Sequence, residues 1–394
     1  MTTELTGGVY WVGAVDWNLR DFHGYITPKG GTYNAYLIVD EKIALVDTVK
    51  NAFAGEMLGR IKEIIDPSKI DYVVSNHVEI DHSGSLPEIM KLTPGAQVIS
   101  TEKGKEGLLR YYQKNWNFRT VKTGDELKLG KRTLFFITVP MLHWPDSMAT
   151  YIKEDRILLS NDMFGQHIAS SFRFDDEALE SDCDVVMEET ARYYANILMQ
   201  FGVLILKKLE EFQKLGIEPA MIAPSHGVIW KNPEKIIGAY RKWANGFSKE
   251  KAVIIYDTMW NSTEMMAGEI LKGISNSGVE VSLFHLRRNE WSEIVKEVLE
   301  ARAVLIGTPT LHNDMFPQVS GFLTYLMGFK PMNKFWATFG SYGWAGGGVK
   351  GVNERLKASG YEISDSLEVR FRPDEQDMEK CRALGERTAA LVKG

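Results

Sequence analysis

From Lys251 onward the chain repeats one pattern: a short apolar run, a polar turn, then an amphipathic helical stretch. The runs KAVIIYD, VEVSLFHL, AVLIGTP, NKFWATFG and YEISDSLEVRF alternate with TEMMAGEILKGISNS, EWSEIVKEVLEA, QVSGFLTYLMGF and VKGVNERLKAS, and a last helix closes the chain. Five strands joined by crossover helices imply a doubly wound parallel sheet. Before residue 230 the texture differs. Short apolar runs such as NAYLIVD, IALVDTV, DYVVSN, LFFITVPM and ILLSND are separated by tight turns and by helical stretches such as AGEMLGRIKEII. TYNAYLIVDEKIALVDT reads as a hairpin turned at Asp40 to Lys42. This part predicts a mixed sheet sandwich covered by helices. ETARYYANILMQFGVLILKKLEEFQKLG reads as one long helix, with Tyr194, Ile197, Leu198, Phe201, Ile205 and Leu209 at the helical period. WKNPEKIIGAYRKWANGFSKEK supplies a connecting helix and linker, which puts one domain at 1–248 and a second at 249–394.

The composition excludes several classes. A chain of 394 residues is long enough for two or three domains, and 44% apolar residues suffice for large cores. The net charge of -6 argues against a nucleic-acid or anionic-membrane surface. No run is long and apolar enough to span a bilayer. The opening MTTELTGGVYW lacks a charged and then apolar leader, so a cytoplasmic location is expected. Cys183 and Cys381 make neither a disulfide framework nor a thiolate metal cage.

Six of the eight histidines precede residue 230. In SNHVEIDHSGS, four potential ligands, His77, Glu79, Asp81 and His82, directly follow the apolar run DYVVSN. Read as an extended loop, the segment puts His77, Glu79 and Asp81 on one side, and a helix then begins at Ser83 and Gly84. His143 in PMLHWPDS, Asp162 in LLSNDMFGQH and His226 in IAPSHGVIW each follow another strand-like run. That repeated placement at strand ends carries the metal reading. For His23 and His167 a capping or solvated role is the plainer reading. Four imidazoles, three carboxylates and no thiolate suit a pair of hard-to-intermediate ions. The anionic Glu79, where a hydrolytic zinc site would carry a histidine, favours a ferric state and so a redox site. Ligand counting alone leaves zinc and manganese open.

A second constellation lies in the strand–helix half. AVIIYD runs into TMWNSTE and a helix, so Thr258, Asn261, Ser262 and Thr263, with Met259 and Trp260 between them, form a loop suited to an anion. An ordinary N-cap at Ser262 or Thr263 is the plainer alternative. No Walker lysine is present. GTPTLHND brings Thr308, Pro309, Thr310, Leu311, His312 and Asn313 to the same sheet edge. GSYGWAGGG brings Ser341, Tyr342, Gly343, Trp344, Ala345 and Gly346. A phosphate loop beside two loops that can flank a planar ring describes FMN binding at a switch point.

Taken together, WVGAVDW, TYNAYLIVD, NHVEIDHSG, MLHWPDSM, NDMFGQH, PSHGVIW, YDTMWNSTE and GSYGWAGGG resemble the flavodiiron proteins, or A-type flavoproteins, over essentially the whole chain. The resemblance implies an N-terminal metallo-β-lactamase-like αββα domain and a C-terminal flavodoxin-like domain. It implies one iron on His77, Glu79 and His143, a second on Asp81, His82 and His226, and Asp162 bridging them. In some members the histidine matching His82 turns off the metal. Tyr193 or Tyr194, and His23, resemble residues placed just behind the irons. The implied reaction is reduction of O2 to water or of NO to N2O, with electrons passing through FMN. Rubredoxin or a reduced deazaflavin is the implied donor, and the implied assembly is a head-to-tail homodimer or a dimer of dimers. A binuclear metallohydrolase with a flavodoxin-like appendage, and a flavodoxin-type carrier with a vestigial metal site, are the competing readings.

Overall fold

A computed structural model describes residues 2–178 and 180–394. They fall into two compact units. One runs to Tyr193 and resumes at Val203–Arg241; the other comprises Tyr194–Gly202 and Lys242–Gly394. The division at Arg241/Lys242 lies just before the boundary read from the sequence.

In the first unit a seven-stranded and a five-stranded sheet build a sandwich. Trp11, Tyr36, Ile38, Val46, Val74 and Ile99 of the larger sheet share one core with Leu134, Phe136, Met148, Ile152, Leu159 and Ala223 of the smaller. The larger sheet's alternate residues, Leu37, Leu45, Val73 and Val98, face a second core with Met57, Ile61, Leu86, Ile89 and Leu108 from the helices. Period-two alternation with both faces apolar requires cover on both sides, which gives the αββα layering. The expected hairpin is present: Tyr36–Val39 pairs antiparallel with Ile43–Val46, and Val39 faces Ile43.

The expected long helix is interrupted. Glu180–Tyr193 is α-helical, Tyr194–Leu198 widens into a π-turn, Met199–Phe201 tightens to 3-10, and Gly202–Lys214 resumes the α-helix. The apolar period survives the bulge, so the pattern cannot reveal it, and such bulges often mark functional positions.

The second unit orders its parallel strands Glu280–His285, Lys249–Tyr256, Ala301–Leu311, Phe335–Tyr342 and Ile363–Arg370. In order of sequence that is 2-1-3-4-5, the doubly wound arrangement expected. Ala252, Ile254, Ala303 and Leu305 face a core built with the helices Ser262–Asn276 and Glu375–Lys393. Their neighbours Val253, Ile255, Val304 and Ile306 are equally buried, so the sheet is covered on both faces. The two helices cross in backbone contact. A Cβ on Gly273 would stand 2.1 Å from the Arg382 carbonyl, and one on Gly385 2.2 Å from that of Ile270.

Candidate metal centre and flavin loops

The first unit gathers its ligand-type residues just beyond strand ends. Tyr72–Val74 leads to His77, Ile157–Asn161 to Asp162, and Met221–Pro224 to His226. His143 lies between Thr133–Thr138 and Met148–Ile152. Strands from both sheets thus aim at one edge of the sandwich. The 77–83 segment departs from the sequence reading. Extended backbone ends at Glu79, and Ile80–Ser83 is a helical turn rather than a helix beginning at Ser83. Asp81 and His82 are adjacent in sequence yet both reach the site, which an extended chain forbids.

Two groups of donor atoms result. Glu79 Oε2 lies 3.3 Å from His77 Nε2 and 3.3 Å from His143 Nε2, and Asp162 Oδ2 lies 3.7 and 3.5 Å from the same two nitrogens. Asp81 Oδ2 lies 3.4 Å from His82 Nε2 and 3.1 Å from His226 Nε2, and Asp162 Oδ1 lies 3.2 and 3.5 Å from these. Asp162 offers one oxygen to each group. Donors about 2.1 Å from a shared centre stand about 3.4 Å apart along a tetrahedral edge, the spacing found in both groups.

The electrostatics also fit cations. His77 Nε2, both oxygens of Asp81, both nitrogens of His82 and Asp162 Oδ2 are buried without a hydrogen-bond partner among the described residues. Burial opposes ionisation of Asp162, yet the His82 and His226 imidazoles hold its carboxyl well below the usual range. Burial opposes charge on His226 too, but Asp162 and Asp81 raise it to about 10. Three converging carboxylates demand positive charge, which protons on the imidazoles or bound metal ions can supply.

Several supporting residues were not singled out from the sequence. Asp146 Oδ2 accepts from His77 Nδ1 at 2.9 Å and from the Val78 amide at 2.8 Å. The Thr32 carbonyl takes His226 Nδ1 at 2.7 Å. Each contact leaves the opposite nitrogen, Nε2, facing the donor group. Asp47, buried and at φ 59°, holds the Asn76 amide at 2.7 Å, and burial lifts its carboxyl to about 6. Asp146 lies inside the quoted run HWPDS, the one local signal available for it. Lys50 Nζ stands 5.2 and 4.9 Å from the ring centres of Phe22 and Tyr33.

The plainer reading holds in part for His23, which stays exposed at the edge of the site, and fails for His167. His23 Nε2 contacts Glu79 Oε1 at 2.6 Å; burial opposes its charge, but Glu79 raises its pKa. His167 is buried with its ring 4.7 Å from that of His226, and burial and His226 hold it well below the usual imidazole range. Of the two tyrosines, Tyr193 donates to Asp162 Oδ1 at 3.1 Å. Tyr194 belongs to the second unit, its ring 5.1 Å from that of Trp243.

In the second unit the three loops leave the C-terminal ends of adjacent strands, Lys249–Tyr256, Ala301–Leu311 and Phe335–Tyr342. The plainer alternative, an N-cap at Ser262 or Thr263, is not formed. Asn261 occupies the cap position at φ 65° without a side-chain cap bond, so the helix amides are not closed off from within. Thr258 Oγ1 is buried with no partner among the described residues. Thr263 and Ser341 instead bond each other at 2.9 Å, and Thr308 turns its hydroxyl to the Phe316 amide. His312 and Asn313 lie in the turn between Leu311 and Asp314, at φ 52° and 60°. Trp260 and Trp344 are each 89% exposed. An open helix terminus, an unpartnered buried hydroxyl and two bare indoles fit a phosphorylated planar ring.

Known proteins carry both halves. An ODP family beta lactamase model matches residues 32–227, and a flavodoxin model matches 254–385. A nitric oxide reductase of Moorella thermoacetica is 51% identical, with 98% of each chain covered. The flavodiiron protein of Giardia intestinalis superposes with a TM-score of 0.93 at 36% identity, covering 100% of this chain and 97% of that one. This chain is a flavodiiron protein. The rubredoxin oxygen:oxidoreductase of Desulfovibrio gigas superposes with a TM-score of 0.96 at 38% identity, covering 100% and 99%. The flavodiiron fold, a metallo-β-lactamase-like domain followed by a flavodoxin domain, accounts for both constellations. The chain is an oxidoreductase, and FMN and two irons are its cofactors. The hydrolase and vestigial-carrier readings fall, because oxidoreductases match it from end to end. Among the described residues no helix is long and apolar enough to cross a membrane.

Proposed function

We propose that this flavodiiron protein reduces NO to N2O, or O2 to water, at the paired donor groups, with electrons arriving through FMN. In this reading His77, Glu79 and His143 hold one iron, Asp81, His82 and His226 the other, and Asp162 bridges them. The observation that carries it is Asp162, whose two oxygens are divided between the two groups. The cofactors supply the redox chemistry: FMN accepts electrons in pairs and releases them singly, and paired irons bind and reduce a diatomic.

The chain's own residues prepare this chemistry. Asp146 and the Thr32 carbonyl orient His77 and His226 with Nε2 toward the metals. Tyr193 keeps Asp162 in place by donating to Oδ1. His23 holds Glu79 Oε1 through Nε2, a contact that needs the ring proton on that nitrogen, beside the site. That proton matters because two NO take up two electrons and two protons to give N2O and water, and O2 takes up four of each. In the flavin loops, Thr258, Ser262 and the open helix terminus take the phosphate, and Trp260 and Trp344 flank the ring. Rubredoxin or a reduced deazaflavin is the proposed donor. A head-to-tail homodimer is the proposed assembly, one chain's flavin serving the other's irons.

The test is anaerobic purification, metal and flavin analysis, and consumption of NO and of O2 under one chemical reductant. About one FMN and two irons per chain, with turnover of at least one gas, is the expected result. A fully loaded protein that consumes neither gas refutes the proposal.

A further inference from the structure

The loop after Phe335–Tyr342 is rich in glycine, with Gly343 and then Gly346, Gly347 and Gly348 around Trp344 and Ala345. Such a run does not stiffen itself. Its far end is fastened by the neighbouring loop: the Gly348 amide donates to Thr310 Oγ1 at 3.0 Å. Gly347, at φ 139°, passes so close to the Asn313 carbonyl that a Cβ there would stand 2.1 Å from it. Its near end is fastened from the opposite side by the edge strand Ile363–Arg370. The register sets Arg370 beside Tyr342, and the Phe371 amide donates to the Tyr342 carbonyl at 2.6 Å. Arg370 Nε then reaches past the ladder to the Gly343 carbonyl at 3.0 Å, with its guanidinium carbon 5.0 Å from the Phe371 ring centre.

We infer that Arg370 is a positioning residue for the flavin: it fixes the Gly343–Trp344 peptide so that the Trp344 N–H points at the edge of the ring. In a trans peptide the carbonyl and the following N–H point opposite ways. The Gly343 carbonyl is drawn toward the edge strand. The Trp344 N–H therefore points the other way, toward the 308–313 loop, because Phe335–Tyr342 lies between Ile363–Arg370 and Ala301–Leu311. That N–H donates to no protein acceptor among the described residues. Between the two loops it meets the space assigned to the ring, and the isoalloxazine edge carries carbonyl and imine acceptors. Those acceptors gain negative charge on reduction, so a fixed donor stabilises reduced FMN more than oxidised FMN. The inference rests on the FMN reading of these loops.

The experiment strips FMN from the intact protein, titrates it back by flavin fluorescence, and follows the two-electron midpoint potential of the reconstituted protein. Arg370→Ala should bind oxidised FMN about threefold to tenfold more weakly. A further tenfold loss for reduced FMN reads as a midpoint about 30 mV lower. Arg370→Gln keeps a donor for the Gly343 carbonyl without the charge and should recover most of both effects. Arg370→Ala with wild-type affinity and potential overturns the inference. So does recovery by Arg370→Lys but not by Arg370→Gln, since charge rather than a directed bond would then be responsible; this comparison stands even if Arg370→Ala folds poorly. Failure of the wild-type chain to rebind FMN overturns the flavin reading itself, a result distinct from a normal Arg370→Ala.

Discussion

Asp146 never reaches the donor groups directly, and truncating it tests how they are prepared. Its Oδ2 accepts both the His77 Nδ1 proton and the Val78 amide, and the residue is 5% exposed. Accepting at Nδ1 keeps the His77 proton there and leaves a lone pair on Nε2, the atom facing Glu79 and Asp162. Asp146→Ala removes both acceptor bonds. The ring is then free to rotate or to carry its proton on Nε2, where it cannot bind a metal. Losing an outer partner of this kind costs about 10- to 100-fold in metal affinity, or roughly 1.4 to 2.7 kcal/mol. Asp146→Asn is milder. One amide oxygen can still take both bonds, and only the charge assistance goes, about half the strength of each, so a loss of about tenfold or less is expected. The assay is competition for zinc, chosen because it has no redox chemistry, between the metal-free protein and a chelator. Circular dichroism confirms folding, and His143→Ala gives the loss of a direct ligand for scale. A folded Asp146→Ala protein that holds zinc like the wild type refutes the idea that Asp146 sets the His77 tautomer.

Four further outcomes can be checked. Asp162→Asn should abolish NO and O2 reduction while FMN stays bound, because the shared charge is lost and the flavin loops lie in another unit; near-normal turnover would show that Asp162 does not bridge. Trp344→Ala should weaken FMN binding by about 1–3 kcal/mol through lost stacking, and unchanged flavin retention through dialysis would count against ring contact. Lys251 bridges Glu280 at 2.7 Å and Glu297 at 2.6 Å; burial opposes charge on Glu297, but Lys251 lowers its pKa, so this stability is present above the unfolded carboxyl range and lost as the pH falls through the folded value. Lys251→Met should therefore destabilise by about 2 kcal/mol at neutral pH, and a thermal-melt difference that persists undiminished near pH 3 would refute the pairing. Mixing a metal-free His143→Ala chain with a flavin-free chain altered at Thr258 and Ser262 should restore part of the activity after refolding together, and no recovery despite confirmed subunit exchange would rule out transfer between chains.

The strand–helix repeat after Lys251 was legible because a buried parallel sheet leaves a local signature: apolar runs, helical periods and turn residues in sequence order. The repeat implied a doubly wound parallel sheet, and the structure adds its 2-1-3-4-5 strand order. The ligand-type residues were legible for a related reason. Strand ends are marked locally, and His77, His143, Asp162 and His226 each follow one. Where the reading failed, the deciding force was not local. The π-turn at Tyr194–Leu198 preserves the apolar period, so nothing in the pattern marks it. The turn Ile80–Ser83 overrides an extended reading because Asp81 and His82 must both face inward. His167 looked like a capping or solvated residue until folding buried it against His226.

By itself the sequence determined the two fold classes, the chemical type of every donor at the site, and a glycine-rich loop able to approach a ring. Those properties belong to side chains and short-range periodicity. Only the tertiary structure decided which oxygen of Asp162 meets which histidine, which nitrogen of His77 and His226 faces the site, and which tyrosine supports Asp162. The partners that settle these points are distant along the chain: Asp146 is 69 residues from His77, and Thr32 is 194 from His226. Hydrogen bonds are directional and short, so a tautomer or a peptide orientation is defined only once folding has brought such partners within 3 Å or so of each other.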